Sequence, residues 1–173
     1  VLTDYTALVG QAKIVFGCLD APLAKEIVPK FAEQSVVIDN SNAFRMDPEV
    51  PLIIPEINPE KVREHKGIIA NPNCSTIQML LALYPLHKKA KVKRIFVATY
   101  QSVSGAGKEA LDELRYELEY LSMGHDIEKP EDAVFNHPIG NNIIPQIGGF
   151  DDQGYTSEEI KMLNETRKIF DDE

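Results

Sequence analysis

The chain reads as an α/β protein built on a parallel sheet, and three observations carry that reading. Residues 12–18 and 35–39 are continuous apolar runs of strand length, without the polar alternation of a half-solvated strand. A stretch of mixed helical character, residues 21–34, lies between them. Strand, helix and continuous apolar strand in so short a span form a parallel βαβ signal, and such a sheet is covered on both faces. Pro29 is expected to break or kink the connecting helix. Residues 46–66 hold Pro48, Pro51, Pro55 and Pro59 with few periodic apolar positions, so they read as extended connections. Residues 67–70 are a third run of strand length, and the strongly apolar residues 77–84, unbroken until Pro85, read as a buried helix.

A change of domain is expected at residues 71–74, dividing 1–72 from 73–173. Beyond it, residues 92–100 read as a strand. Residues 108–121 form an amphipathic helix with Leu111, Leu114, Leu118 and Leu121 on one stripe. Residues 122–150 are low in periodicity, with Asn141-Asn142 and Gly148-Gly149 marking turns. Thr156 and Glu159 offer a capping box for a last helix ending near Phe170.

Composition narrows the function classes. Hydrophobic residues at 43% and charged residues at 26% suit a packed globular core. A net charge of −9 argues against non-specific nucleic-acid binding, yet leaves room for an anionic substrate held by a few cations in a cleft. No apolar run approaches the roughly 18 residues of a membrane span. The first residues lack the basic and apolar pattern of a signal peptide. Cys18 and Cys74 form no Cys-x-x-Cys, and His65, His87, His125 and His137 lack ligand spacing. We therefore expect no metal, no membrane or nucleic-acid partner, and a reducing, cytoplasmic setting.

The most chemically suggestive stretch is Asn71-Pro72-Asn73-Cys74-Ser75-Thr76. It puts a lone cysteine in the turn where a strand hands over to a helix. Unpaired N–H groups and the positive helix end lie there, and both favour the form in which a thiol attacks. Context alone leaves two readings open, a nucleophile or a small buried hydrophobe. Other candidates have equally plain alternatives. Arg45 follows a strand on its carboxyl-end loop, where ligands bind in open α/β sheets, or is a surface arginine. Gln101 closes a predicted strand and would otherwise be a solvent-facing amide. Glu158 and Lys161 share a helix face and could be a surface ion pair. Residues 105–110 match G-x-G-x-x-A only weakly, because a spacer separates strand from glycines and no acidic strand end follows. Cys18, at a strand end among apolar neighbours, reads as structural.

Three segments taken together carry a family resemblance: Asn71 to Thr76, Asp39 to Met46 (Asp-Asn-Ser-Asn-Ala-Phe-Arg-Met), and Thr99 to Gly107 (Thr-Tyr-Gln-Ser-Val-Ser-Gly-Ala-Gly). The chain resembles the aspartate-semialdehyde dehydrogenases from Val15 to about Ile169. The related acetylglutamyl-phosphate reductases usually have glycine before the nucleophile, where this chain has Asn73. The resemblance implies part of a Rossmann-like parallel-sheet domain (1–72) followed by part of an α+β catalytic and dimerisation domain (73–173). It implies Cys74 as nucleophile and Gln101 as the residue orienting substrate and carbonyl. Arg45 and Lys161 would hold phosphate, Glu158 the substrate amino group, and Asn73 would join the substrate site. Ser104 and Gly105 would approach the nicotinamide end of NADP, glycine permitting close backbone contact.

The reaction so implied is NADP-dependent reductive dephosphorylation of β-aspartyl phosphate to aspartate semialdehyde, toward lysine, threonine and methionine. A homodimer or homotetramer is expected. The family's glycine-rich cofactor loop would lie upstream of Val1, and its substrate-binding arginine and its histidine downstream of the last helix. The residues therefore look like the middle of a longer enzyme, with a catalytically incompetent domain or a sister acyl-phosphate or thioester reductase as alternatives. Gly17-Cys18-Leu19-Asp20 departs from the family's small, Ser- and Gly-rich turn on the adenosine-phosphate side.

Overall fold

The computed structural model describes residues 4–129 and 131–171. Three short strands, β1 (Ile14–Gly17), β2 (Val36–Asp39) and β3 (Ile68–Ala70), form a parallel sheet in the order β1-β2-β3. Ile14 pairs with Val36 and Gly17 with Asp39, while Val37 pairs with Ile68 and Asp39 with Ala70. The βαβ expectation is met by α1 (Ala21–Ala32), which starts on a cap: Asp20 accepts from the Leu23 N–H at 3.1 Å. Pro29 does not end this helix.

Ala24, Val28 and Phe31 of α1 pack on Val37 of β2 to form one core cluster. The sheet is not covered throughout, since Ile14 and Phe16 of β1 are 57% and 73% exposed. The second core cluster comes from an unexpected source. Val50, Leu52, Ile54 and Ile57, from the proline-rich connection, pack with Ala70, Leu80 and Ile169. Periodicity fails there because the chain turns instead of running straight. Buried Asn58 pins the bend, accepting from the Ile54 N–H and donating to the Leu52 carbonyl, each at 2.9 Å.

The helix expected over 77–84 is longer at both ends. It forms α2 (Cys74–Ala90), and Pro85 lies inside it. Nor is it buried all round: Leu80 is enclosed, whereas Leu81 and Leu86 are exposed. The strand expected over 92–100 is not formed, and Phe96 and Tyr100 are 88% and 85% exposed. A strand needs a β-ladder, and among the described residues the parallel sheet is built from β1, β2 and β3.

The remaining helices are α3 (Lys108–Ser122) and α4 (Ser157–Phe170). The leucine stripe of α3 is not a buried face, for Leu118 and Leu121 are exposed, and Ala110 and Glu117 are its buried residues. Two compact units result. One runs through Ile95 and resumes at Glu158, and the other is Phe96–Ser157. Among the described residues no helix is long and apolar enough to cross a membrane.

Candidate active site

In the first unit, Cys74 occupies the opening position of α2 with its side chain exposed. Asn73 makes that start. Its side-chain oxygen accepts from the N–H groups of Ser75 and Thr76 at 2.9 and 3.2 Å, satisfying donors that a helix start otherwise leaves orphaned. The Asn73 amide nitrogen donates to Glu158 Oε1 at 2.8 Å, and its main-chain N–H donates to Glu165 Oε2 at 2.6 Å. Asn73 is thereby committed on three sides and 6% exposed.

Arg45 is no surface arginine, being 8% exposed. Its Nη1 donates to Glu165 Oε1 at 3.0 Å and its Nη2 to the Asn40 carbonyl at 3.0 Å. Nε is buried without a hydrogen-bond partner among the described residues. The loop that delivers this arginine is shaped just after β2. Ser41 Oγ donates to Asp39 Oδ2 at 2.6 Å and accepts from the Ala43 N–H at 3.1 Å. Gly17 gives Asp39 its space: a Cβ there would stand 2.9 Å from Asp39 Oδ1. Within the departing Gly17-Cys18-Leu19-Asp20 turn, then, the glycine answers to packing. Cys18 is exposed and lies beyond the end of β1, contrary to its expected place in the strand.

The opposite wall is α4. Its buried residues, Glu158, Met162, Glu165 and Ile169, recur at helical spacing and form one stripe in which carboxylates alternate with apolar side chains. Lys161 Nζ lies 3.2 Å from Glu158 Oε2 and remains partly exposed. Lys168 donates to the carbonyls of Arg45, Asp47 and Val50 at 2.7, 2.6 and 2.8 Å. Its burial holds it below the ordinary lysine value, against the opposing pull of Asp47. Glu165 and Lys168 repeat the spacing of Glu158 and Lys161, so spacing alone does not tell the two pairs apart. The signal that separates the pairs is long-range, for their partners lie roughly a hundred positions away and sequence spacing does not show them.

Gln101, Ser104 and Gly105 belong to the second unit. Gln101 is not at a strand end. It precedes a 3-10 turn, Val103–Ala106, and is exposed. A Cβ on Gly105 would stand 2.4 Å from Gln101 Nε2, so the bare glycine backbone and the carboxamide lie against one another. Ser104 Oγ bonds Ser102 Oγ at 3.1 Å. The turn is exposed at Ser104, Gly105 and Ala106, and it is free of a side chain only at Gly105, beside the carboxamide.

Comparison with known proteins gives the class. Residues 2–65 match the semialdehyde dehydrogenase NAD binding domain and residues 83–173 the semialdehyde dehydrogenase dimerisation domain. The chain belongs to the semialdehyde dehydrogenase family. Within it, the chain is 54% identical over 153 residues to the aspartate-semialdehyde dehydrogenase of Aquifex aeolicus, covering 87% of this chain and 44% of that protein. It is 48% identical over 157 residues to that of Bacillus subtilis, covering 88% and 44%. The crystal structure of aspartate semialdehyde dehydrogenase II from Vibrio cholerae superposes with a TM-score of 0.89 at 46% identity, over 98% of this chain and 49% of that one. The same Vibrio enzyme has been solved complexed with ASA. The chain spans about half the length of the relatives it matches.

Proposed function

We propose that these residues form part of an enzyme that catalyses NADP-dependent reductive dephosphorylation of β-aspartyl phosphate to aspartate semialdehyde. The step is reversible and leads toward lysine, threonine and methionine. The observation that carries the reading is the first-unit cluster in which Asn73 starts the helix of Cys74 while Glu165 ties Asn73 to Arg45. Identity of about half to aspartate-semialdehyde dehydrogenases supports the choice of substrate.

In this scheme the Cys74 sulfur attacks the acyl carbon, the carbon–oxygen bond to phosphate breaks, and phosphate leaves toward Arg45 and Lys161. Splitting one hard substitution into two easier ones is the advantage of a covalent intermediate. Glu158 receives the substrate amino group, Asn73 lines the same site, and Gln101 orients the carbonyl under attack. Ser104 and Gly105 would hold the nicotinamide end of NADPH, which when bound would supply a hydride to the Cys74 thioester. The resulting thiohemiacetal releases aldehyde as its carbon–sulfur bond breaks, and the cysteine is restored. Residues 1–72 serve the nucleotide domain and 73–173 the catalytic and dimerisation domain, a division supported by the two matched family regions. The enzyme works in the cytoplasm as a homodimer or homotetramer.

The test is turnover by the protein at its relatives' length. Purified enzyme should reduce NADP in the presence of aspartate semialdehyde and inorganic phosphate. Cys74→Ala should abolish this and Cys74→Ser should leave very little, a hydroxyl being far the weaker nucleophile. Phosphate-dependent turnover surviving in Cys74→Ala would overturn the assignment.

A further inference from the structure

We propose that Glu165 is a positioning residue that fixes the arginine of the phosphate subsite against the turn of the nucleophile, an inference that rests on the reading above. One carboxylate serves two parts of the site. Its Oε1 takes Nη1 of Arg45 at 3.0 Å, and its Oε2 takes the main-chain N–H of Asn73 at 2.6 Å. A carboxylate is rigid and planar, so the guanidinium and the peptide that precedes Cys74 are set against each other through a single group. The contact is deep: Glu165 is 1% exposed. Charge-assisted bonds of this kind are short and directional.

A second grip from the same helix makes the arrangement specific to the Arg45 loop. One turn after Glu165, Lys168 holds the carbonyls of Arg45, Asp47 and Val50. The side chain and the main chain of Arg45 are therefore both tied to α4. Met162 and Ile169, on the same buried stripe, seat the helix in the core. Glu165 uses one donor of Arg45, and Asn40 uses another. Nε is enclosed, so only the second N–H of Nη1 and of Nη2 could serve a ligand, in an orientation that these bonds set.

Positioning makes a different prediction from phosphate binding. Loss of Glu165 leaves the positive charge of Arg45 in place, so affinity for phosphate should survive while the geometry of transfer suffers. Small misplacements of reacting groups cost rate heavily. In the enzyme at its relatives' length, Glu165→Gln should lower kcat about tenfold or more without raising the KM for phosphate. Glu165→Asp, which keeps the charge but is shorter, should recover part of the loss. Ile169→Ala supplies the control for a merely loosened helix, lowering Tm while leaving kcat per folded molecule unchanged. Should Glu165→Gln fail to fold, Glu165→Asp against Ile169→Ala carries the comparison.

Hydrogen exchange of the peptide spanning residues 71–76 gives a readout independent of substrate. It should quicken severalfold in Glu165→Gln, because the Asn73 N–H loses an anionic acceptor. A parent enzyme without phosphate-dependent turnover on aspartate semialdehyde would refute the proposed reaction, and the exchange measurement would then decide the positioning role alone. A working parent whose folded Glu165 variants keep kcat within twofold would overturn the positioning role, whatever their exchange. So would a kcat loss in Ile169→Ala equal to that in Glu165→Gln.

Discussion

Arg45 is enclosed and paired, and that changes what its substitution should do. Removing it strands Glu165, a carboxylate with almost no access to water. Breaking one side of a buried ion pair typically costs about 3–5 kcal/mol, so Arg45→Ala should lose stability as well as activity. Arg45→Lys is the cleaner probe. It keeps one charge but cannot reproduce a planar fork of donors, so phosphate KM in the oxidative direction should rise. Lys161→Ala should act on the same ligand, and the two changes combined should be non-additive. Steady-state kinetics with phosphate varied will show this. Unchanged phosphate KM in both single variants would remove these two residues from the subsite. The residue scale is also where sequence reading was richest, because Asn-Pro-Asn-Cys-Ser-Thr and Ala-Phe-Arg-Met are local words. It had no means of finding Glu165, whose importance lies in two partners far away along the chain.

Among the elements, α3 illustrates how a helix can be held by charge where leucines were expected to do it. Glu113 and Glu117, four residues apart, face the segment that follows the helix. Lys129 Nζ lies 2.6 Å from Glu113 Oε1 and 3.5 Å from Glu117 Oε1. Glu113 also accepts from the Val134 N–H at 2.5 Å, and Glu117 accepts from the N–H groups of Ile139 and Gly140. Burial pushes Glu113 up, but the Lys129 bond and the Val134 N–H outweigh it and hold this carboxyl below its ordinary value. A carboxylate held low contributes stability that is fully present above the ordinary value, about 4.3, and is lost as pH falls through the lowered one. The protection of amides in residues 131–140, measured against their intrinsic exchange rate at each pH, should therefore fall as the protein is acidified through that lowered value. In Glu113→Gln the same segment should exchange faster at neutral pH, with a smaller further change on acidification. An acid profile identical in the parent and the variant would mean that Glu113 is not the latch. The helix itself was legible from its periodicity. Its buried face was not, since the chain that folds back on it brings N–H groups that leucine cannot satisfy.

At the scale of the whole molecule, the residues proposed for the site fall in two compact units, and the chain spans about half the length of its relatives. A polypeptide of these 173 residues alone should accordingly show no NADPH-linked turnover of aspartate semialdehyde with phosphate. The resemblance implies a general acid–base histidine outside these residues, and such a group typically contributes about 10² to 10⁴-fold. Turnover above the uncatalysed rate would mean that the base or the cofactor site lies within these residues. Apolar runs determined the order of β1, β2 and β3 and the helical stretch between the first two determined α1, although β1 is left exposed at Ile14 and Phe16. The strand-to-helix turn likewise determined that Cys74 would stand at a helix start. Tertiary structure alone decided three other things. It drew the irregular chain from Val50 to Ile57 into the core, left residues 92–100 without a strand, and set Glu165 between Arg45 and Asn73. Local pattern fixes the conformation a segment prefers. Which surface covers it, which ladder accepts it and which distant charge answers it depend on contacts between residues far apart in the chain, and these form only when the whole is folded.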